Sequence, residues 1–201
     1  MSLNMQHMPL SMISEFLPDA QLLNMPSIDQ AIKRFISDSR QVVAGDVFIA
    51  LRGEKFDAHD FLNDVQAKGA LACLVSSVEK LPQGFPAIVV KDTQQAHVEI
   101  LGAYLESHDL FPKRVNVGFM EIVSSHHIRL RVFERGVGET LACGTGACAA
   151  VVSGIKRHLL TSPVKVDMLG GSLSIDWKGS SYPVMMKGPA VTLYEGDIEI
   201  T

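Results

Sequence analysis

Glu134-Arg-Gly-Val-Gly-Glu-Thr-Leu-Ala-Cys143-Gly-Thr-Gly-Ala-Cys-Ala-Ala-Val-Val-Ser-Gly-Ile-Lys156 reads as a strand end, a glycine-broken loop and a helix that begins just after a cysteine. Ala147 to Ile155 contains no proline and one late glycine, a composition that suits a buried helix. Gly144 and Gly146 let the backbone come close to whatever sits above the helix start. The first amides of a helix have no internal partner, and its dipole favours negative charge there. Cys143 is therefore expected beside a small anion site, in a field that favours a thiolate. A carboxylate held by the amides would present its α-carbon to the sulfur.

Other readings of the same residues compete with this one. Gly144-Thr-Gly-Ala-Cys-Ala149 matches the loose dinucleotide fingerprint G-x-G-x-x-A, but Glu139-Thr-Leu-Ala before it is no buried parallel strand. Cys143 and Cys148 have no second Cys or His pair at zinc spacing, so no metal is expected. Ser153-Gly-Ile-Lys156 fits S-x-x-K without the companion motifs that give it meaning. An inert buried cysteine is the serious alternative for Cys143, because free Cys is commonly buried.

The Glu134 to Ala149 segment resembles the second cysteine motif of diaminopimelate epimerase. The likeness runs from about Val98 to the C-terminus, through Leu105-Glu-Ser-His108, Phe111-Pro112, Asn116-Val-Gly-Phe-Met120 and Gly188-Pro-Ala190. The resemblance implies an isomerase half-site that needs no pyridoxal phosphate, flavin or metal. In it Cys143 is one of two catalytic thiols, and Glu134 handles the proton or holds the ammonium group. Gly144 and Thr145 would bind the α-carboxylate through their amides, Arg135 would clamp a carboxylate, and Asn116 would orient the substrate by hydrogen bonds. The alternative for Glu134 and Arg135 is a solvated strand end. Base and acid on opposite faces of an α-carbon are required for inversion, and tuned cysteines suit both tasks. The family's other thiol lies in a Cys-Gly-Asn-Gly motif, which does not occur here. Cys73 sits in a core-strand setting and Cys148 is too near Cys143 to reach the opposite face, so the isolated chain is expected not to epimerise diaminopimelate at a useful rate.

Length and composition are compatible with one large or two small domains, either of which could bury a core. The chain has 201 residues, 47% hydrophobic and 20% charged, ordinary for a soluble globular protein. A net charge of −4 argues against binding a phosphate backbone, so no nucleic-acid partner is expected. Three cysteines cannot all pair, which suits a reducing cytoplasm. No apolar run approaches a membrane span, and Met1 to Met8 lacks the pattern of a signal peptide, with Met1-Ser-Leu reading as an added leader.

Towards the N-terminus, Pro9 to Leu17 suggests a short amphipathic helix ended by Pro18. Ile32 to Ile36, Val47 to Leu51, Ala70 to Val75 and Ala87 to Val90 read as strands. Asp57 can cap a helix running to about Lys68. Strands alternating with helices indicate an α/β layer arrangement. Ser37-Asp-Ser-Arg40, Gly45 to Gly53 and Phe56-Asp-Ala-His-Asp-Phe61 resemble the N-terminal domain of a Mur ligase, of the type that adds D-alanyl-D-alanine to a UDP-muramoyl tripeptide. This second resemblance spans roughly Met8 to Gln95. It implies a domain that holds the UDP end of that substrate, with Ser39 and Arg40 in the turn near it. Read from the residues alone, they are an ordinary strand exit with a surface arginine, and His59 is a helix-start residue. No G-x-x-x-x-G-K-[ST] follows, so ATP-driven ligation is not expected.

The seam falls at Val90 to His97, where Thr93 can cap a helix to about Ser107 and no Pro/Gly/Ser linker intervenes. Beyond it, Val115 to Val123 reads as a strand carrying Asn116, and His127 to Phe133 alternates with Ile128, Leu130 and Val132 on one face. His126 and His127 are expected at a solvated turn. Val164 to Asp167, Leu173 to Trp177, Val184 to Lys187 and Val191 to Tyr194 are further strands with glycine turns between or after them. The expectation is a composite, chimeric chain: an α/β domain over 1–97 and an α+β lobe over 98–201, a mostly antiparallel sheet around one helix. Both halves point to lysine and cell-wall (peptidoglycan) ancestry. Expected partners are small molecules, diaminopimelate or a UDP-muramoyl peptide, and a second copy joined through uncovered half-site surface.

Overall fold

A computed structural model describes residues 8–26, 29–53, 56–191 and 195–196. The chain divides into two compact units, Met1–Tyr104 and Leu105–Thr201. The division falls several residues beyond the 97/98 boundary expected above. Helix α3 (Thr93–Glu106) accounts for this, because Ala96, Val98, Ile100 and Tyr104 are all buried and belong with the first unit. Among the described residues no helix is long and apolar enough to cross a membrane.

The first unit holds a five-stranded sheet in the order β1-β5-β4-β3-β2: β1 (Gln21–Leu23), β2 (Arg34–Ile36), β3 (Asp46–Ile49), β4 (Ala72–Val75) and β5 (Ala87–Val89). β2 to β5 run parallel, and β1 closes the edge antiparallel to β5. Every residue of β3 and β4 is buried, which explains their near-continuous apolar composition. Buried Asp46 is the exception. Its carboxylate accepts from the Arg34 guanidinium and from the Val43 amide. The Asp57 side chain accepts from the His59 amide, capping a 3-10 turn (Ala58–Phe61) that leads into α2 (Leu62–Ala67). His59 is more than a helix-start residue. It is buried between Asp57 (Nδ1 at 2.6 Å) and the Ser76 amide, which donates to Nε2 at 3.1 Å. The expected N-terminal helix is a 3-10 turn at Leu10–Met12 running into α1 (Ile13–Phe16).

The expected cap at Thr93 is corrected. Asp92 Oδ1 accepts from the amides of Gln94 and Gln95, while buried Thr93 turns inward and donates to the Ala50 carbonyl. An aspartate one residue earlier is the better acceptor for two amides, which leaves the hydroxyl free to satisfy a buried carbonyl.

The second unit is a six-stranded sheet ordered β11-β10-β9-β7-β6, with β8 also on β7. Its strands are β6 (Val117–Ser124), β7 (His127–Glu134), β8 (Gly138–Thr140), β9 (Val164–Met168), β10 (Gly171–Asp176) and β11 (Met185–Lys187). Among the described residues only β7 and β9 pair in parallel; the other pairings are antiparallel. The strand expected at Val191 to Tyr194 lies largely outside the described residues. Helix α4 (Gly144–Lys156) packs on the sheet, with Ala147 and Val151 against Ile128, Leu130, Val132, Val164, Val166 and Ile175. His127 opens β7, and its Nε2 meets Asp167 at 2.7 Å, so it departs from the solvated turn expected for it.

α4 ends in a Schellman motif. The Leu159 amide returns to the Gly154 carbonyl at 2.9 Å and the His158 amide to Ile155 at 3.0 Å, with His158 left-handed at φ 59°. The returning chain lays Leu160 directly over Gly154.

Candidate active site

The site grows from the alternation of β7. Ile128, Leu130 and Val132 are 0, 1 and 2% exposed, and each burial is worth about 1.5–3 kcal/mol. A one-residue slip would turn all three to solvent, so the register is held firmly. The same period puts Glu134 on the helix-facing side two residues further on, where the core pattern ends. Half-burial of one carboxylate is a smaller cost than that slip, provided its oxygens are satisfied. They are. Thr140 Oγ1 donates to Oε1 at 2.6 Å, and the Cys143 thiol donates to Oε2 at 3.4 Å.

Cys143 is the N-cap of α4, with extended backbone (φ −141°, ψ 103°), and its carbonyl accepts the Ala147 amide at 2.9 Å. No side chain caps this helix start. Cys143 is buried, at 7% exposure, and its sulfur lies 3.5 Å from Thr145 Oγ1. Gly146 lies in a tight place, where an added side chain would push its neighbours aside by a few tenths of an ångström. A Cβ there would sit 3.3 Å from both the sulfur and Val132 Cγ2. A Cβ at Gly144 would meet the Met186 sulfur at 3.0 Å, so β11 lies across the first helical residue.

The turn between β7 and β8 is braced from outside the hairpin. Asn116 Oδ1 accepts the Arg135 amide at 2.8 Å, and Glu106 Oε1 accepts the Gly136 amide at 2.8 Å. Gly136 and Gly138 have φ of 73° and 96°, where a side chain would be strained. Glu106 also pairs with Arg114 at 3.1 Å, and Glu139 with Arg131 at 2.6 and 2.7 Å.

Cys143, Glu134, Gly144 and Thr145 thus come together at one helix start. Asn116 and Arg135 meet through a backbone amide, while the exposed Arg135 guanidinium donates to the Lys113 carbonyl at 3.1 Å. In the first unit, Ser39 and Arg40 form a 3-10 turn. The Arg40 side chain is 86% exposed and bound to Asp38 at 2.9 and 2.8 Å, and the Ser39 carbonyl accepts from Lys68 at 2.8 Å. Cys73 is fully buried in β4, where burial pushes its thiol up to about 12. Cys148 is half-buried in α4, and burial pushes it up as well.

Three further residues shape the site: Thr140, Glu106 and Met186. Thr140 could have been found from the hairpin register, since it pairs with Val132 diagonally beside Glu134. Glu106 and Met186 arrive through long-range packing that no local pattern signals.

A family model described as diaminopimelate epimerase matches residues 83–193, and one described as Mur ligase family, catalytic domain, matches residues 32–110. The chain is 62% identical over 112 residues to a diaminopimelate epimerase of Herminiimonas arsenicoxydans, covering 56% of this chain and 40% of that protein. A diaminopimelate epimerase of Ralstonia nicotianae is 50% identical over 146 residues, covering 73% and 49%. Among solved structures, MurF from Acinetobacter baumannii is similar at 30% identity and a TM-score of 0.44, covering 52% of this chain and 22% of that one. The chain thus spans less than half the length of these curated relatives. It is a composite whose N-terminal part is Mur-ligase-like, and, with more than half its length matched, it belongs to the diaminopimelate epimerase family.

Proposed function

We propose that the second unit carries one side of a cysteine-based epimerase site for diaminopimelate, and that the first descends from a domain binding UDP-muramoyl peptides. The observation that carries this reading is the Cys143 sulfur at an uncapped helix start, 3.4 Å from a Glu134 oxygen. The substrate α-carboxylate would lie on the amides of Gly144 and Thr145, with Asn116 orienting it and Arg135 clamping a carboxylate. Cys143 as thiolate would take the α-proton, breaking C–H and forming S–H while the electron pair remains on the α-carbon. Glu134 would accept from the thiol between turnovers.

Inversion further requires a proton from the opposite face. Neither Cys73, sealed in a strand, nor Cys148, one turn along the same helix, serves that face. The isolated chain is therefore expected not to racemise its substrate. Incubating purified protein with L,L-diaminopimelate in heavy water and resolving the stereoisomers tests this. No D,L isomer should form, and rapid α-deuteration with inversion would overturn the reading.

A further inference from the structure

We propose that Thr140 is a positioning residue for the Cys143–Glu134 pair: by donating to Oε1 it fixes the carboxylate so that Oε2 faces the sulfur. This rests on reading Cys143 and Glu134 as a coupled pair. A glutamate at a strand end has three side-chain torsions, and a half-buried carboxylate with one oxygen unheld would turn toward water. The Thr140 hydroxyl removes that freedom with a 2.6 Å charge-assisted bond, shorter and stronger than the 3.4 Å thiol contact it directs. β8 delivers it there. The Gly136 and Gly138 turn folds β8 back so that Thr140 pairs with Val132, on the Glu134 face. The other charged groups nearby are engaged elsewhere. Glu139 is bound by Arg131, Glu106 by Arg114 and the Gly136 amide, and the Arg135 guanidinium by the Lys113 carbonyl. The Thr145 hydroxyl lies 3.5 Å from the sulfur.

The test follows iodoacetamide alkylation of Cys143 against pH in full-length protein carrying Cys73→Ala and Cys148→Ala, so that one thiol reports. Glu134→Gln removes the negative charge beside the sulfur and should lower the alkylation midpoint by about one pH unit. Thr140→Val, which releases the carboxylate, should move it in the same direction by about half as much. Thr140→Ala should match Thr140→Val without asking the site to accept new methyl groups, and Thr140→Ser should restore the parent profile. A parental profile for Thr140→Val and Thr140→Ala beside a shifted Glu134→Gln overturns this inference alone. A Thr140→Ser profile displaced as far as that of Thr140→Val also overturns it, since packing rather than the hydroxyl would then be responsible. An unshifted Glu134→Gln overturns the coupled pair and this inference with it.

Discussion

Gly154→Ala should destabilise the second unit, against the usual sign for glycine in a helix. In an open helical position the change would stabilise by about 1 kcal/mol, through lower backbone entropy in the unfolded chain and better propensity. Here the new Cβ would lie 2.4 Å from Leu160 Cδ1 and 2.7 Å from its Cγ. Carbon contacts are optimal near about 3.5–4.0 Å, so the approach is too close by more than an ångström at Cδ1 and by most of one at Cγ. Leu160 is 5% exposed and held by the Schellman turn, so it cannot swing aside without opening a void. Overpacking of this kind costs about 1–3 kcal/mol, and the size of the overlap argues for the upper end. Set against the propensity gain, the net loss is about 2 kcal/mol. The chain's one tryptophan, Trp177, is 8% exposed and lies in this unit, so its fluorescence reports urea unfolding there without interference. At a slope of about 2 kcal/mol per molar, the midpoint should fall by about 1 M. In a Leu160→Ala background the obstruction is gone, and the same substitution should raise stability by about 1 kcal/mol. A midpoint equal to or above the parent's with Leu160 in place would refute the reasoning.

Burial alone would push the Asp57 carboxyl up, but hydrogen bonds from the His59 amide and ring, Lys80 and Arg52 outweigh it and hold it well below the usual carboxylate range. Its contribution is then complete above the unfolded value of about 3.9 and disappears as pH falls through the lower folded value. Asp57→Asn should therefore cost about 1–3 kcal/mol at pH 7 and progressively less below about pH 4. Urea unfolding followed by circular dichroism reads this, and an equal gap at pH 7 and pH 2 would contradict it. For the ligand proposed for the first unit, Arg40→Ala should weaken calorimetric binding of a UDP-muramoyl tripeptide by about tenfold, the loss of one charge-assisted hydrogen bond. Absence of saturable binding in the parent chain would remove that assignment.

What could be read from sequence follows from which forces are local. The alternation at 128, 130 and 132 announces a half-buried strand, and extending it by one period already points Glu134 inward. The helix start after Cys143 is equally local, set by glycines and the absence of a capping side chain. The cap of α3 is Asp92 rather than Thr93, whose hydroxyl donates to a carbonyl 43 positions away that no local pattern reveals. β1 was missed because three residues without alternation become a strand only by pairing with β5. Thr140 is readable only through the hairpin register that sets it diagonally beside Glu134. Its role exists only once the hairpin closes.

Helix α3 spans residues that both family matches claim, since 83–110 is common to the two. A cut after His97, within that overlap, would saw through this helix. The N-terminal piece would forfeit Val98, Ile100 and Tyr104 from its interior, and the C-terminal piece would inherit them as sticky overhang. Where two ancestries meet is one question and where two fragments could stand alone is another: the family matches overlap over 28 residues, while the compact units divide after Tyr104, in the last turn of this helix.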